Sequence, residues 1–462
     1  MNKAILTLFT ILCLLSIVFR MECKISVKAD PKILYVDDDN VTGFWDGTKE
    51  HPYQNITNAL EHAIDGDTIF VHEGIYYENV SVNENVSLVG EDRDSTIVDG
   101  NGTGSVISIT VNNVSIKGFT VKGSGMLPYD SGIFLDEYSI GNDVSHNTLT
   151  NNNNGIGLYY SSNNIVSGNT LTNNNYGMYS TPHSSNNTIH CNNFNNTHQV
   201  WTDLMNIWDD GNEGNYWSDY TGQDLDGDGI GDNPYVIDVN NQDRYPLMGM
   251  FSDFSVALQR ETYHVTTICN STISDFKFEI GLDTGSKIIR FNATGKDSTV
   301  GFCRVMIPTE LMNYPFIVLV DVEEIALTLL DISDETYVYL YFIYIHSSHT
   351  ITIISSKTLY LYNELIDKHA KLQIDLYNVN TTYYDLLNNY GILLDNYSQL
   401  QKSYLELNSS YQKQLLNYSK NVQNIQSLTY IFAAATAIFI ITTIYLSKRA
   451  HASKTKVFEK EK

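Results

Sequence analysis

The chain has 462 residues, which is too long for one ordinary hydrophobic core, so its length predicts two or more domains. Its formal net charge is -25 at pH 7, with 28 lysines and arginines against 53 aspartates and glutamates. Such a surface repels nucleic-acid phosphates and attracts divalent cations. The composition therefore predicts no nucleic-acid partner.

The N-terminus has the pattern of an export signal. A short basic start precedes an apolar run from Ala4 to Phe19, which is typical of a secretory signal peptide. A membrane anchor that is never cleaved is the alternative. We assign residues 1–29 to the signal, because Val27-Lys28-Ala29 offers small residues for cleavage.

The middle of the chain repeats itself. Three segments that begin at Gly132, Gly155 and Gly177 align with a period of about 22 residues. Each has a short alternating strand, a polar turn, a second strand and an Asn-rich turn. One such coil cannot bury its own apolar face, so the repeat predicts stacked coils. We interpret the run Asn151–Asn154 as a ladder of turn residues rather than a binding site.

Coils should begin earlier than these repeats. Short β-rich runs separated by Gly, Asn and Asp extend from Thr68 to Val121. Before them, apolar residues recur at helical spacing between Ile56 and Ile64. We predict a helix there that covers the open N-terminal end of the solenoid.

Both ends of this region resemble a known family. The two ends are similar to NosD-like, pectate-lyase-type β-helix proteins of archaeal cell surfaces. The similar segments are KILYVDDDN and GDTIFVHEGIYYENVSV at the beginning and GNYWSDYTGQDLDGDGIGDNPYVIDV at the end. The resemblance covers residues 31–250 and implies a right-handed parallel β-helix. Polysaccharide lyases, hydrolases and epimerases also use that fold, but a fold alone does not carry their chemistry.

An acidic loop near the end of this region is a candidate cation site. The candidate ligands are Asp224, Asp226, Asp228, Ile230 and Asp232. The aspartates occupy relative positions 1, 3, 5 and 9 around a glycine at position 6, and Ile230 would offer its carbonyl at position 7, as in an EF-hand-type loop. Tyr235 replaces the usual glutamate at position 12, and Asp238 is a substitute ligand. We predict a structural calcium ion; a solvated acidic turn is the alternative.

Five aromatic residues lie close to this loop in the sequence. They are Trp201, Trp208, Tyr216, Trp217 and Tyr220. We predict that they cover the last coil of the solenoid. A platform on which sugars stack is the alternative.

The sequence offers only weak candidates for catalytic residues. A glycoside hydrolase needs two carboxylates at a suitable separation. The carboxylates that lie close along one coil are Asp130, Asp136, Glu137 and Asp143. A polysaccharide lyase also needs a basic residue, usually arginine or lysine, and the only arginines of residues 31–250 are Arg93 and Arg244, both within the family-like end segments. We therefore expect a binding protein; a tethered polysaccharide hydrolase, lyase or epimerase is the alternative.

The family resemblance also implies an association with copper. The soft ligands that lie together in one coil and its turns are His183, His190, Cys191 and His198. Because His190 and Cys191 alternate along a strand, they should point to opposite faces. We therefore do not expect a copper site, and a copper-handling protein is a third interpretation.

The pattern changes after the repeats. From residue 251 to 356 the Asn-rich turns disappear and nine longer β segments follow, which predicts an antiparallel β-sandwich. Cys269 and Cys303 could form a disulfide there in an exported protein. Two unpaired cysteines fit the spacing equally well.

A period of seven follows. Tyrosine recurs at every seventh position from Tyr383 to Tyr418, with leucine midway from Leu386 to Leu407, which is a heptad seam. Residues 358–428 would form a helical stalk of ~105 Å at 1.5 Å per residue. Homo-oligomerisation through this stalk is a hypothesis, although glycans on its sequons would crowd a partner.

The stalk leads into an apolar segment. Leu428–Leu446 carries no charge and is long enough for a bilayer core of roughly 30 Å. Lys448 and Arg449 follow, so residues 447–462 should be cytoplasmic and the bulk of the chain outside. About fourteen N-glycosylation sequons all precede this segment. The sequence thus predicts a single-pass cell-surface protein whose β-helix displays a face for surface polysaccharides or envelope proteins.

Overall fold

The structure is a computed structural model that describes residues 30–458, apart from 42, 182, 282–284, 356 and 390–393. The predicted signal segment, residues 1–29, lies outside the described residues. The chain forms two compact units. The first contains the described residues up to Thr272 with Gly301–Ile307 and Leu329–Tyr341, and the second contains the remainder.

The first unit is built on a parallel β-solenoid of six coils. In each coil the chain passes through sheets 1, 2 and 3 in turn, and neighbouring strands in every sheet are parallel. Sheet 1 contains β1 (Ile33–Val36), β2 (Thr68–Val71), β5 (Ser87–Gly90), β8 (Ser115–Lys117), β11 (Asp143–Ser145), β14 (Ile165–Ser167) and β17 (Thr188–His190). Sheet 2 contains β3 (Gly74–Tyr76), β6 (Thr96–Asp99), β9 (Thr120–Lys122), β12 (Thr148–Thr150), β15 (Thr170–Thr172), β18 (Asn193–Asn195) and β20 (Tyr216–Trp217). Sheet 3 contains β4 (Val80–Val82), β7 (Ile107–Ile109), β10 (Ser131–Leu135), β13 (Asn154–Leu158), β16 (Tyr176–Ser180) and β19 (His198–Trp201).

The repeat found in the sequence matches the pairing of residues between neighbouring coils of the solenoid. Ile133 pairs with Ile156, which pairs with Met178 on the next coil. All three side chains are buried inside the coils. A fully buried side chain of this size contributes roughly 1.5–3 kcal/mol relative to an exposed one. Because each coil finds these contacts on its neighbours, the six coils form one hydrophobic core.

The predicted N-terminal helix is confirmed. Helix α1 (Ile56–His62) begins at Asn55, whose side chain accepts a hydrogen bond from the main-chain N–H of Asn58 at 2.8 Å. Ile56, Ala59 and Leu60 form its buried face. This face packs against β1, β2 and β4, which are the first strands of sheets 1 and 3.

Asparagines, all of them buried except the half-buried Asn196, form three ladders along the corners of the coils. The ladders are Asn142–Asn164–Asn187–Asn206, Asn147–Asn169–Asn192–Asn215 and Asn152–Asn174–Asn196. In each, a main-chain N–H donates to the side-chain oxygen of the asparagine one coil further on. Asn152 donates to Asn174 Oδ1 at 2.9 Å, for example. The turn ladder predicted within the run Asn151–Asn154 is confirmed at Asn152.

Two antiparallel sheets follow the solenoid. Short strands β21 (Tyr235–Val236) and β22 (Gln242–Asp243) pair with each other before them. One sheet contains β23 (Met250–Leu258), β24 (Glu261–Cys269), β27 (Val300–Pro308), β31 (Tyr337–Ile345) and β30 (Thr328–Leu329). The other contains β25 (Thr272–Ile280), β26 (Lys287–Thr294), β32 (Ser348–Ser355), β28 (Phe316–Val320) and β29 (Glu323–Ile325). Cys269 lies opposite Cys303 in the register of β24 and β27, and both side chains are buried.

The C-terminal region is helical, as α2 (Lys357–Asn389) and α3 (Leu394–Phe458). The ring of His369 in α2 stacks on Tyr418 in α3, with centroids 4.9 Å apart. The two helices therefore contact each other, and the single straight rod predicted from the heptads is wrong. A seam of tyrosines and leucines can pack against a helix of its own chain as well as against a partner.

Helix α3 also contains the membrane segment. Tyr404–Leu446 is long and apolar enough to cross a bilayer, and it is the single such helix among the described residues. Its most apolar part is not buried against the rest of the protein. This agrees with the segment predicted from Leu428 to Leu446.

Candidate functional site

The last coil of the solenoid is closed by aromatic residues. Trp217 stacks on Phe194 with centroids 4.5 Å apart and on Tyr235 at 4.3 Å. Its Nε1 donates to Asp243 Oδ2 at 2.9 Å. Trp208, like Trp217, is almost fully buried. The predicted cover is confirmed for these two tryptophans, which are enclosed in the core and offer no surface for stacking.

The acidic loop is held by its own main chain. Asp224 accepts hydrogen bonds from the N–H groups of Gly227 at 2.7 Å and Gly229 at 2.8 Å. Asp232 accepts one from Leu225 at 2.6 Å. Asp224, Asp226 and Asp232 each place a carboxylate oxygen within 4.8 Å of the other two. The loop thus presents three hard ligands to one point.

The other two predicted ligands behave differently. The carboxylate of Asp228 lies 3.8 Å from Arg304 Nη1, which also donates to the Asp228 carbonyl at 3.2 Å. Ile230 is buried and bridges to Leu247. The proposed substitute Asp238 accepts hydrogen bonds from Asn240 and Asn241. The structure therefore brings together three of the five residues predicted from the sequence.

The carboxylates of the acidic loop repel one another. Asp226 is exposed, and slight desolvation, together with the neighbouring carboxylates of Asp232 and Asp224, raises its pKa. Burial is also the main cause that raises the pKa of Asp228. A divalent cation would remove this repulsion, because it binds the ionised form of each carboxylate.

The four catalytic candidates occupy separate places. Asp130 precedes β10 and accepts a hydrogen bond from Leu127 N at 2.9 Å. Asp136 and Glu137 follow β10 in sheet 3, whereas Asp143 begins β11 in sheet 1. The four carboxylates are close in the sequence, but in the structure they lie beside two different sheets.

The soft metal ligands are likewise divided. His183 stacks on Tyr160 and His198 on Tyr176, both beside sheet 3. His190 belongs to sheet 1, and the buried thiol of Cys191 donates to Glu213 at 3.7 Å. Within the described residues, no group of three metal-ligating side chains that contains a histidine or cysteine converges on one point. These residues do not fit a copper centre of that kind.

Ten aromatic rings lie beside the outer surface of sheet 3 and contact one another. We call this group of rings the aromatic face. Its members are Tyr129, Phe134, Tyr138, Tyr159, Tyr160, Tyr176, Tyr179, His183, His198 and Trp201. Each is exposed or half-exposed. They come from β10, β13, β16 and β19 and from the residues that flank these strands.

The register of sheet 3 explains how these rings meet. Phe134, Gly157, Tyr179 and Trp201 are successive partners across four coils. Trp201 stacks on Tyr179 with centroids 4.8 Å apart and planes 15° apart. A Cβ at Gly157 would lie 2.8 Å from Phe134 Cδ2, so the glycine makes room for that ring.

Several ring surfaces in this face remain available. Trp201 belongs to the edge strand β19, so Tyr179 covers one side of its indole and no further strand of the sheet covers the other. Tyr129 is 50% exposed and Tyr138 is 66% exposed. Partial desolvation raises the pKa of Tyr159 and of Tyr179. Their phenols therefore stay neutral at physiological pH and can both donate and accept hydrogen bonds.

Sequence reasoning missed most of this face. It named Trp201, but as a member of the group that covers the last coil. The signal was present at Tyr179 and Trp201, which are one period of 22 residues apart. Exposure of the flanking residues, such as Tyr129 and Tyr138, depends on the shape of the turns and cannot be read from alternation alone.

Comparison with known families supports the fold. Residues 56–222 match the model of the NosD family, described as periplasmic copper-binding protein (NosD). The solenoid is a NosD-like β-helix. This confirms the resemblance noted on the sequence for residues 56–222. No curated protein sequence matches the chain.

Solved structures that match parts of the chain were also found. Pectin methylesterase PemA from Erwinia chrysanthemi is 15% identical, covers 40% of this chain and has a TM-score of 0.20. This chain spans 59% of the length of PemA. A pectin methylesterase in complex with hexasaccharide VII is 12% identical over 37% of this chain and 66% of its own, with a TM-score of 0.18. The Dettilon tailspike protein (gp208) is 10% identical over 70% of this chain and 93% of its own, with a TM-score of 0.19. None of these likenesses transfers an activity.

Proposed function

We propose that this protein is a membrane-anchored cell-surface protein whose solenoid binds glycans through the aromatic face. The observation that carries the proposal is the network of ten contacting, solvent-accessible rings on one sheet. Contiguous exposed patches of this kind mark binding sites on soluble domains. The C–H groups on one side of a sugar ring pack favourably on an aromatic ring, while tyrosine hydroxyls can bind sugar hydroxyls.

The C-terminal segment would hold this face at the cell surface. Tyr404–Leu446 is compatible with one membrane crossing. Lys448 and Arg449 follow it, and positive charges favour the cytoplasmic side. We therefore place the solenoid outside the membrane, where polysaccharides of the envelope are within reach.

The acidic loop would bind calcium and stabilise the end of the solenoid. Calcium takes six to eight oxygen ligands, often from several carboxylates with carbonyl groups and water. Asp224, Asp226 and Asp232 supply three carboxylates that already converge. The loop joins the cap, since Gly231 N donates to the Pro246 carbonyl at 2.8 Å and Met248 N donates to the Gly229 carbonyl at 3.1 Å. Its role would therefore be structural.

Calcium withdrawal tests this part of the proposal. At a calcium concentration of 100 Kd, binding stabilises the folded state by about 2.7 kcal/mol. Chelation should lower the unfolding temperature of the full-length protein in detergent, and Asp226→Asn should remove this response. Glu50→Gln, which alters an exposed carboxylate outside the loop, should retain it. An equal response in both variants would refute calcium binding at the loop.

Glycan binding is tested with the full-length protein on polysaccharide arrays. The double variant Tyr179→Ala/Trp201→Ala removes the central stacked pair, and binding should fall by tenfold or more, or about 1.4 kcal/mol. Tyr77→Ala is the matched control, because Tyr77 is 69% exposed and lies outside the aromatic face. Equal binding by both variants would contradict the assignment of the face, and release of shortened glycans would favour the enzyme alternative.

A further inference from the structure

The surroundings of the aromatic face carry charge of one sign. The sequence from Gly123 to Asp243 contains no lysine or arginine. All four strands that bear the face, β10, β13, β16 and β19, lie within that stretch. Within this stretch a glycan on the face would therefore meet no lysine or arginine, the residues that pair most strongly with uronate or sulfate groups, and its basic groups are the imidazoles of His183 and His198.

Carboxylates stand directly beside the rings. Asp130 follows Tyr129, and Asp203 follows Trp201 by two residues. Glu137 precedes Tyr138 and accepts a hydrogen bond from its hydroxyl, which raises the pKa of Tyr138. Negative groups thus flank the two ends of the face, and an anionic ligand would be repelled.

The rings of the aromatic face are arranged along the solenoid axis. Neighbouring strands in a sheet are separated by about 4.7–4.9 Å, which is close to the length of one pyranose residue in an extended glycan. The row Phe134, Gly157, Tyr179 and Trp201 crosses four coils along the solenoid axis. Gly157 has no ring, and Tyr159, which contacts Phe134, supplies the ring of that coil. A linear chain that follows this row would place successive sugars over successive coils.

We infer that the aromatic face selects neutral, linear glycans that lie along the solenoid axis, with about one sugar residue for each coil. This inference rests on the proposed glycan-binding function and adds the class of ligand. Stacking on the rings provides affinity for any sugar with an apolar side. The flanking carboxylates, with no lysine or arginine in residues 123–243 to offset them, reject uronic-acid and sulfated polymers above the pH at which His183 and His198 become charged.

The selectivity is tested with matched neutral and acidic polymers. Full-length protein in detergent is titrated with galactan and with polygalacturonate, and with mannan and polymannuronate, at one calcium concentration. The neutral member of each pair should bind at least about tenfold more tightly. Added sodium chloride should narrow the ratio, because salt screens repulsion between exposed charges.

A charge variant locates the source of selectivity. The double substitution Asp136→Asn/Glu137→Gln removes two carboxylates beside Tyr138 and should narrow the ratio of neutral to acidic binding. Equal or tighter binding of acidic polymers by the unmodified protein would overturn this inference while the proposed function stands. If no neutral or acidic polymer binds, or if the face binds a protein partner instead, the inference and the proposed function both fail.

A length series tests the direction. Affinity for neutral oligosaccharides should rise from two sugars to about four and then level off, because four coils carry the row. Affinity that is already maximal for a disaccharide would overturn the axial arrangement.

Discussion

Replacing Asn169 by leucine tests the ladder that joins the coils. The Asn169 side chain accepts hydrogen bonds from Asn147 N at 3.0 Å and from Asn147 Nδ2 at 3.2 Å. It donates to the carbonyls of Val144 at 2.7 Å and Ser167 at 3.1 Å and to Asn192 Oδ1 at 3.0 Å. Leucine has a similar volume but can make none of these bonds.

The expected loss follows from the groups left without partners. Asn169 and Asn147 are fully buried, so water cannot replace the missing bonds. The N–H of Asn147 and the carbonyl of Val144 would each lose a partner at roughly 1–3 kcal/mol. Two such groups give a loss of about 4 kcal/mol. For a unit of this size the unfolding temperature should fall by about 10 °C.

Tryptophan fluorescence is the assay, because Trp208 and Trp217 are buried at the end of the solenoid. The full-length protein and the variant are heated under identical conditions. Asn175→Leu is the control, since Asn175 is exposed and its side chain makes one hydrogen bond, to Asn153 at 3.2 Å. It should change the transition by a few degrees at most. A similar small effect for Asn169→Leu would refute the structural role of the ladder.

Two further predictions concern other parts of the first unit. The structure shows Cys269 and Cys303 as thiols that lie opposite each other, and we expect them to form a disulfide in the exported protein. After denaturation without reductant a thiol reagent should label Cys191 but neither of these two, and labelling of all three would contradict it. Burial raises the pKa of Asp243 to about 7 from an ordinary value of 3.8. A proton therefore binds Asp243 more tightly in the folded state, so the contribution of this group to stability is greatest at low pH and falls by about 3 kcal/mol as pH rises from 5 through 7. In calcium-free thermal scans Asp243→Asn should remove this part of the pH dependence, and the same pH dependence in the variant and the unmodified protein would contradict it.

The parts of the fold that were predictable have local or periodic signals. The stacked strands follow from repeats that begin at Gly132, Gly155 and Gly177, since each coil must bury apolar residues against the next. Helix α1 follows from the spacing of its apolar residues after Asn55. In the acidic loop, Asp224, Asp226 and Asp232 converge because a short glycine-rich turn allows few arrangements.

What could not be predicted depends on contacts between residues that are distant in the sequence. Asp228 turns toward Arg304, which lies 76 residues further along the chain, and nothing in the loop itself indicates that partner. The contact between His369 and Tyr418 likewise joins residues that are far apart in the sequence, and the heptad pattern does not indicate it. Most of the aromatic face arises in the same way, because the solenoid brings together rings from four separate coils.

Footprinting of the bound glycan tests the central claim most directly. The full-length protein is labelled by a diffusible carbene reagent with and without the neutral glycan that binds most tightly, and labelled peptides are identified by mass spectrometry. We predict protection of the peptides that contain Tyr129–Tyr138 and Tyr176–Trp201, with none around Tyr77. Protection confined to regions outside the aromatic face would contradict the account.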